Sequence, residues 1–208
     1  MKKRIGFCIM MTMAFLASGC SHAQHAAAQR ETAMSEKNIL IVYLSRTGNT
    51  KTVAELIHKK VGGDLVALRL QHPYPENYAD MVLQVASENE SNFLPSLQTK
   101  IEHIEKYDTI FVGFPTWGMQ LPPPMKSFLS QYDLSGKTVI PFNTNAGYGI
   151  GSSFETVKKL APKSKIPEGF SVKGGIEKEG ILFVMEGQKK TLAETAIVKW
   201  LKKINLID

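Results

Sequence analysis

Residues 38–63 read NILIVYLSRTGNTKTVAELIHKKVGG, and the fold turns on how this stretch divides. Ile39 to Leu44 is an unbroken apolar run, which suits a strand buried on both faces better than one with a wet side. Ser45 to Thr50 interrupts it with small polar residues and a glycine. Beyond the interruption Val53, Leu56, Ile57 and Val61 recur at helical spacing, and Lys59, Lys60 and Gly62-Gly63 supply a basic last turn and a glycine stop. A buried strand passing directly into an amphipathic helix is the opening unit of a parallel α/β sheet.

The same alternation runs through the rest of the chain. Leu65 to Leu70 predicts a second strand, and Asn77 predicts the cap of a helix that buries Tyr78, Met81, Val82 and Val85. Thr109 to Phe114 reads as strand three. Pro122-Pro123-Pro124 suits the entry of a helix whose Met125, Phe128, Leu129 and Tyr132 share a face, because proline in the first turn sacrifices no hydrogen bond. Thr138 to Phe142 reads as strand four and Phe170 to Lys173 as strand five. Ser152 with Glu155, and Thr191 with Glu194, have capping-box spacing before two further helices, the second carrying Ala193, Ile197, Trp200 and Ile204. The expected class is therefore α/β, a doubly wound five-stranded parallel sheet with helices on both faces. Gly174 to Gly187 leaves two readings open: Ile181 to Val184 either continues strand five or forms a hairpin beside it.

The first residues belong to a different kind of segment. Lys2, Lys3 and Arg4 precede an apolar run, Ile5 to Ala17, that is too short to span a bilayer core of about 30 Å, which gives residues 1–19 the shape of a signal peptide. Leu16-Ala17-Ser18-Gly19-Cys20 resembles the lipobox of bacterial lipoproteins. That resemblance implies lipidation of Cys20, a polar tether over residues 20–36, a folded domain over 37–208, and an exported, membrane-anchored lipoprotein of the cell envelope. An ordinary secretory signal is the other reading, and both send the chain out of the cytoplasm. Cys8 and Cys20 are the only cysteines, so the domain can hold no disulfide or thiolate site. The formal charge of +6 falls to +3 once Lys2, Lys3 and Arg4 are removed, a mild excess that does not argue for nucleic acid. His58, His72 and His103 show no metal-ligand spacing.

In an open parallel sheet, ligands bind off the carboxyl ends of the strands. The loop after strand one, Ser45-Arg46-Thr47-Gly48-Asn49-Thr50, offers three hydroxyls, an amide and the free N–H groups of a helix N-terminus, a set suited to a phosphate. It lacks the glycine pattern of a pyrophosphate site and the lysine of a P-loop, so a monophosphate fits better. A plain N-cap is the competing reading of the same residues. After strand three comes Phe114-Pro115-Thr116-Trp117-Gly118-Met119-Gln120-Leu121, with an aromatic placed to cover a planar ring. After strand four comes Asn143-Thr144-Asn145-Ala146-Gly147-Tyr148-Gly149, with small residues and a second aromatic. Ser45 and Pro115 stand where a phospho-receiver domain needs aspartates.

These three loops, in this order, resemble the flavodoxin family over Asn38 to the C-terminus. The resemblance implies a flavodoxin-like strand order 2-1-3-4-5 and FMN as cofactor. It implies that Ser45, Arg46, Thr47, Gly48, Asn49 and Thr50 hold the FMN phosphate and that Trp117 and Tyr148 flank the isoalloxazine. Gly118, Ala146, Gly147 and Gly149 would meet the polar edge of the ring, with Pro115, Thr116, Thr144 and Asn145 completing the set. An electron carrier working with a redox partner protein or a small acceptor such as a quinone is the function this favours. An FMN-dependent NAD(P)H:quinone-type oxidoreductase and a flavin-free envelope interaction module are the other two. Familiar short flavodoxins are acidic and cytoplasmic, and this chain is neither, which leaves the partner open. None of the three loops contains Asp or Glu, so a bound reduced flavin, an anion, is expected to meet little repulsion from them.

Overall fold

Every residue of β1 (Ile39–Tyr43) is buried, and the strand pairs on both edges, with β2 (Asp64–Ala67) and with β3 (Thr109–Pro115). The computed structural model describes residues 38–208, so the signal peptide, the lipobox with Cys20 and the tether lie outside the described residues. β4 (Thr138–Asn145) and β5 (Phe170–Lys173) extend the sheet beyond β3. All strand pairings are parallel, as the apolar runs predict, and the order is β2-β1-β3-β4-β5, as the family resemblance implies. The direction of winding reverses between β1 and β3, which opens a crevice at their carboxyl ends.

Because side chains alternate along a strand, the sheet builds a core on each face. On one, Leu40, Val42, Ile110 and Val112 meet Phe128 of α3 (Pro123–Gln131) and Val157 of α4 (Ser153–Leu160). On the other, Ile41, Phe111 and Ile140 meet Val53 and Ile57 of α1 (Asn49–Val61) and Ile197 and Trp200 of α5 (Gly187–Lys203). The remaining helix, α2 (Tyr78–Ser91), behaves differently. Its Met81 and Val85 are buried yet belong to neither core, and the helix packs chiefly against α3.

Several local readings hold in detail. Asn77 caps α2 by accepting from the N–H groups of Ala79 and Asp80 at 2.9 and 3.2 Å, Gly62 ends α1 at φ 68°, and proline opens α3. Others are corrected. β2 stops at Ala67: the Leu68 N–H makes the last ladder bond, to Tyr43 O, and beyond it Leu70 bridges antiparallel to Leu97. β4 runs on past Phe142 to Asn145, so the third loop begins inside the sheet. Tyr78 and Val82 are 37% and 42% exposed, not buried.

Neither capping box forms. α5 starts at Gly187, placing Thr191 inside the helix, where its hydroxyl donates to Gly187 O, while Glu194 pairs with Lys60 at 2.8 Å. Ser152 does occupy the N-cap of α4, but its hydroxyl donates to Met119 O and Glu155 pairs with Lys158. Local spacing lost to tertiary partners in each case. β5 ends at Lys173, and an antiparallel bridge between Ile176 and Ile181 makes the following segment a hairpin.

Gly113 marks the tightest approach within the sheet. A Cβ there would lie 2.0 Å from Cζ of Phe142, its neighbour on β4. Gly113→Ala is expected to cost at least about 1–3 kcal/mol, as overpacked cores do, read as a lower urea midpoint at unchanged slope. Adding Phe142→Leu should recover part of the loss, and no recovery would locate the strain elsewhere.

Candidate functional site

The chain leaves β1 and enters α1 within a few residues, and Gly48 makes the turn at φ 85°, a conformation that side chains rarely adopt. Among the described residues no side chain caps α1, and its first turn holds no acid. Its leading N–H groups, which have no intrahelical acceptor, are thus left for an outside one. Among the described residues, the buried Ser45 hydroxyl has no partner. The Thr50 and Thr144 hydroxyls bond each other at 2.8 Å, and Asn49 Nδ2 donates to Thr47 Oγ1 at 2.9 Å. The uncapped start of α1 fits a phosphate oxygen, and the orphaned Ser45 hydroxyl lies in the loop that leads to it; the Ser153 hydroxyl at the start of α4 is orphaned as well.

The hairpin after β5 lies across this loop as a strap. Asn49 grips it at both ends of its amide, donating to Leu182 O at 2.6 Å and accepting from the Val184 N–H at 3.1 Å. Phe183 lies against Gly48. Arg46 is also engaged, with Nε on Glu177 Oε1 at 2.6 Å and the two Nη groups on the carbonyls of Pro75 and Glu76 at 2.9 and 2.5 Å. One guanidinium therefore joins the first loop, the approach to α2 and the strap. In the sequence, only the short apolar run Ile181–Val184 hinted at this segment, and nothing local told where it would lie.

The loop after β3 folds into a tight turn in which Trp117 and Gln120 exchange backbone hydrogen bonds. Gly118 and Met119 occupy its centre at φ 55° and 60°, the left-handed pair that such a two-residue turn requires. Tyr74 meets Trp117 edge-on at 5.3 Å between centroids, and its own hydroxyl donates to Glu88. Burial, and then that bond to Glu88, push the Tyr74 phenol far above its ordinary pKa, so it stays a donor. Beneath the turn Lys126 bonds Asn89 Oδ1 at 2.8 Å, and burial holds its pKa below the usual lysine value.

Asn145 anchors the loop after β4. Its Oδ1 accepts from the N–H groups of Gly147 and Gly149, and its Nδ2 donates to Asn143 and Ser171. Thr116 Oγ1 donates to Gly149 O, which ties the second loop to the third.

A cavity of about 440 Å³ opens between these loops and α2, within the size range of small-molecule sites. Arg46, Thr47, Asn49 and Thr50 line it from the first loop, Pro115, Thr116, Trp117 and Gly118 from the second, and Thr144, Asn145 and Ala146 from the third. Ser45, Gly48, Gly147 and Gly149 do not line it, and Tyr148, 73% exposed, stands outside the lining too. The sequence reading missed three contributions: Gly174, Gly175 and Glu177 from the strap, Gln120, and a whole face of α2. The α2 face was read as core because its apolar spacing is that of a core helix.

The flavodoxin family profile matches residues 38–187. The chain belongs to the flavodoxin family. A flavodoxin from Synechocystis sp. is 26% identical over 119 residues, covering 55% of this chain and 56% of that one, so the chain spans about half the length of this curated relative. A candidate flavoprotein from Bacteroides eggerthii is 30% identical, with a TM-score of 0.64, over 81% of this chain and 98% of its own. A flavoprotein from Lactobacillus acidophilus, solved in complex with FMN, shares the fold at 22% identity and TM-score 0.59, over 66% of this chain and 93% of its own. Against this flavodoxin frame, the strap and its grip on Asn49 are what the three family-like loops alone did not predict.

Removing that grip has a measurable consequence. Asn49→Ala strands the Val184 N–H and is expected to cost about 1–3 kcal/mol of local stability. Amide exchange should rise by about tenfold or more at Val184 while staying unchanged at β1. Unaltered exchange at Val184 would show that the strap is held by other contacts.

Proposed function

We propose that this flavodoxin-family chain binds one FMN and transfers electrons at the cell envelope, tethered by lipid on Cys20. The observation that carries the cofactor reading is the unfilled donor set of the first loop and the start of α1: among the described residues the buried Ser45 hydroxyl has no partner and no side chain caps the helix. The Lactobacillus relative, solved with FMN, supports the same assignment. FMN supplies one- and two-electron chemistry when bound, and the protein supplies its orientation and surroundings.

The chain's residues divide that work. Ser45, Thr47, Thr50 and the first N–H groups of α1 hold the phosphate through neutral donors. Arg46, committed to Glu177, Pro75 and Glu76, closes the strap over that phosphate instead of pairing with it. Trp117, held edge-on by Tyr74, borders the ring, and the turn at Gly118 and the backbone near Ala146 meet its polar edge. Tyr148 reaches the outer face of the ring only by turning in from its exposed position.

Two carboxylates outside the three loops modify the electrostatic expectation. Glu177 and Glu90 both line the cavity, so the absence of acids from the loops does not make the site acid-free. Glu177 is neutralised by Arg46 at 2.6 Å, which leaves Glu90 as the repulsive charge for an anionic reduced flavin.

Purification with FMN tests the reading directly, since a chain that takes up no flavin under any loading condition refutes it. Ser45→Ala is the sharper probe. The hydroxyl has no protein partner to lose, so unfolding without flavin should be unchanged, whereas FMN affinity should fall by about 1–2 kcal/mol, roughly tenfold. Riboflavin, lacking the phosphate, should bind parent and variant alike. Equal losses for both ligands would move the phosphate elsewhere. The tether is tested separately: Cys20→Ser should transfer the protein from the membrane to the soluble fraction, and identical fractionation would refute lipid anchoring.

A further inference from the structure

Lys126 is a positive charge that the rest of the fold does not use. It sits in the first turn of α3, where its N–H bonds to Pro122 O. A cation there faces the positive end of the helix dipole, which disfavours it. The side chain is half-buried, and burial holds its pKa below the usual lysine value, so part of its hydration is lost as well. Its Nζ donates to Asn89 Oδ1 at 2.8 Å and reaches Gln120 Oε1 at 3.5 Å, both neutral oxygens, and among the described residues it has no carboxylate partner. The ammonium is therefore misplaced against the dipole, partly dehydrated and without an anion to offset either cost.

Its two partners show where such an anion would lie. Asn89 and Gln120 both line the cavity, and Lys126 stands one hydrogen bond behind them. With Oδ1 taken up by the ammonium, the other end of the Asn89 amide faces the turn at Gly118: Nδ2 is 3.9 Å from the position a Cβ would take there. A hydrogen-bonded cation polarises such an amide and strengthens its N–H end toward an acceptor. The charges of the lining itself are Arg46 and Glu177, which pair with each other, and the exposed Glu90. Reduction of a flavin adds two electrons and one proton to the ring and leaves one negative charge on it, and that charge is attracted by a cation behind the wall.

We propose that Lys126, acting through Asn89 and Gln120, stabilises the anionic, reduced form of the bound ring over the oxidised one. It is a positioning residue, since it touches the lining and not the ring. The assignment rests on the FMN reading above and adds to it the residue that sets which redox state the site favours. Lys126 opposes the repulsion from Glu90. The phosphate carries the same charge in both states, so the lysine's effect on it cancels when the two are compared.

The test uses the full-length chain loaded with FMN. Its midpoint potential is read against a reference dye during reduction by dithionite, which supplies the electrons while solvent supplies the proton. Lys126→Gln removes the charge and keeps a donor for Asn89. Oxidised FMN should bind this variant within twofold of the parent, and reduced FMN about tenfold more weakly, which lowers the two-electron midpoint by about 30 mV. Lys126→Arg keeps the charge and should stay within threefold of the parent for both forms. Lys159→Gln, exposed in the last turn of α4, should change neither. Four results would overturn the assignment. An unmoved midpoint in Lys126→Gln is the first. Equal losses for oxidised and reduced FMN, or a variant that no longer folds, would make the lysine a brace between α2 and α3. A midpoint in Lys126→Arg as low as in Lys126→Gln would make shape the cause, and an equal shift in Lys159→Gln would make it net charge. A chain that takes up no FMN refutes the flavin reading and the proposal falls with it; the flavin titration, done first, tells that failure from the other four.

Discussion

Burial of β1 on both faces, with pairing along both edges, is the constraint from which the site follows. Leu40, Ile41 and Val42 are fully buried, as are Val53 and Ile57 of α1. At roughly 1.5–3 kcal/mol for each large aliphatic side chain taken out of water, these five fix strand and helix against each other far more firmly than any single polar contact could. The chain then has one exit, off the carboxyl end of β1, and only a few residues in which to reach the helix. Gly48 makes that turn, and the start of α1 is left pointing its donors into the crevice. Against such a frame, one unsatisfied hydroxyl at Ser45, costing about 1–3 kcal/mol, is affordable.

What could be read from the sequence was whatever depends on residues close together in it. The strand order came from the family resemblance, but the number of strands, their burial and the entry of α3 came from apolar runs and prolines. Asn77 and Gly62 acted as the caps their residue types suggest. The errors share one cause. Thr191, Glu194, Ser152 and Glu155 had the spacing of capping boxes, yet Lys60, Lys158 and the Met119 carbonyl are partners that only the fold brings near. Tyr78 and Val82 had the periodicity of a core helix, but α2 settles on α3 and turns that stripe toward a cavity.

The site was legible to the same degree and for the same reason. The donors of the first loop are contiguous in sequence, so their chemistry could be recognised without knowing the fold. Arg46 was visible as a charge, but its engagement with Glu177 lies 131 residues away, and no local rule finds it. Asn145 illustrates the opposite case. The resemblance counted it among the cofactor-binding residues, and it does line the cavity, but both ends of its amide are occupied in holding Gly147, Gly149, Asn143 and Ser171. Its contribution to the site is the shape of the loop.

Under the proposed function, the strap bears on how the first loop would hold a phosphate with no unpaired cation among the described lining residues. At an effective dielectric near 20, a unit charge about 8 Å away is worth about 2 kcal/mol, but a carboxylate and a guanidinium in contact largely cancel beyond a few ångströms. Arg46 and Glu177 are such a pair, so their net field at the first loop is small. Affinity for a phosphate must then come from hydroxyls and helix N–H groups whose positions are set by Gly48 and by the grip of Asn49 on the strap. Short-range bonds of this kind, enclosed by a covering segment, are far less sensitive to salt than long-range attraction between exposed charges. The strap thus exchanges charge attraction for geometry, and a ligand without a correctly placed phosphate gains little from the loop.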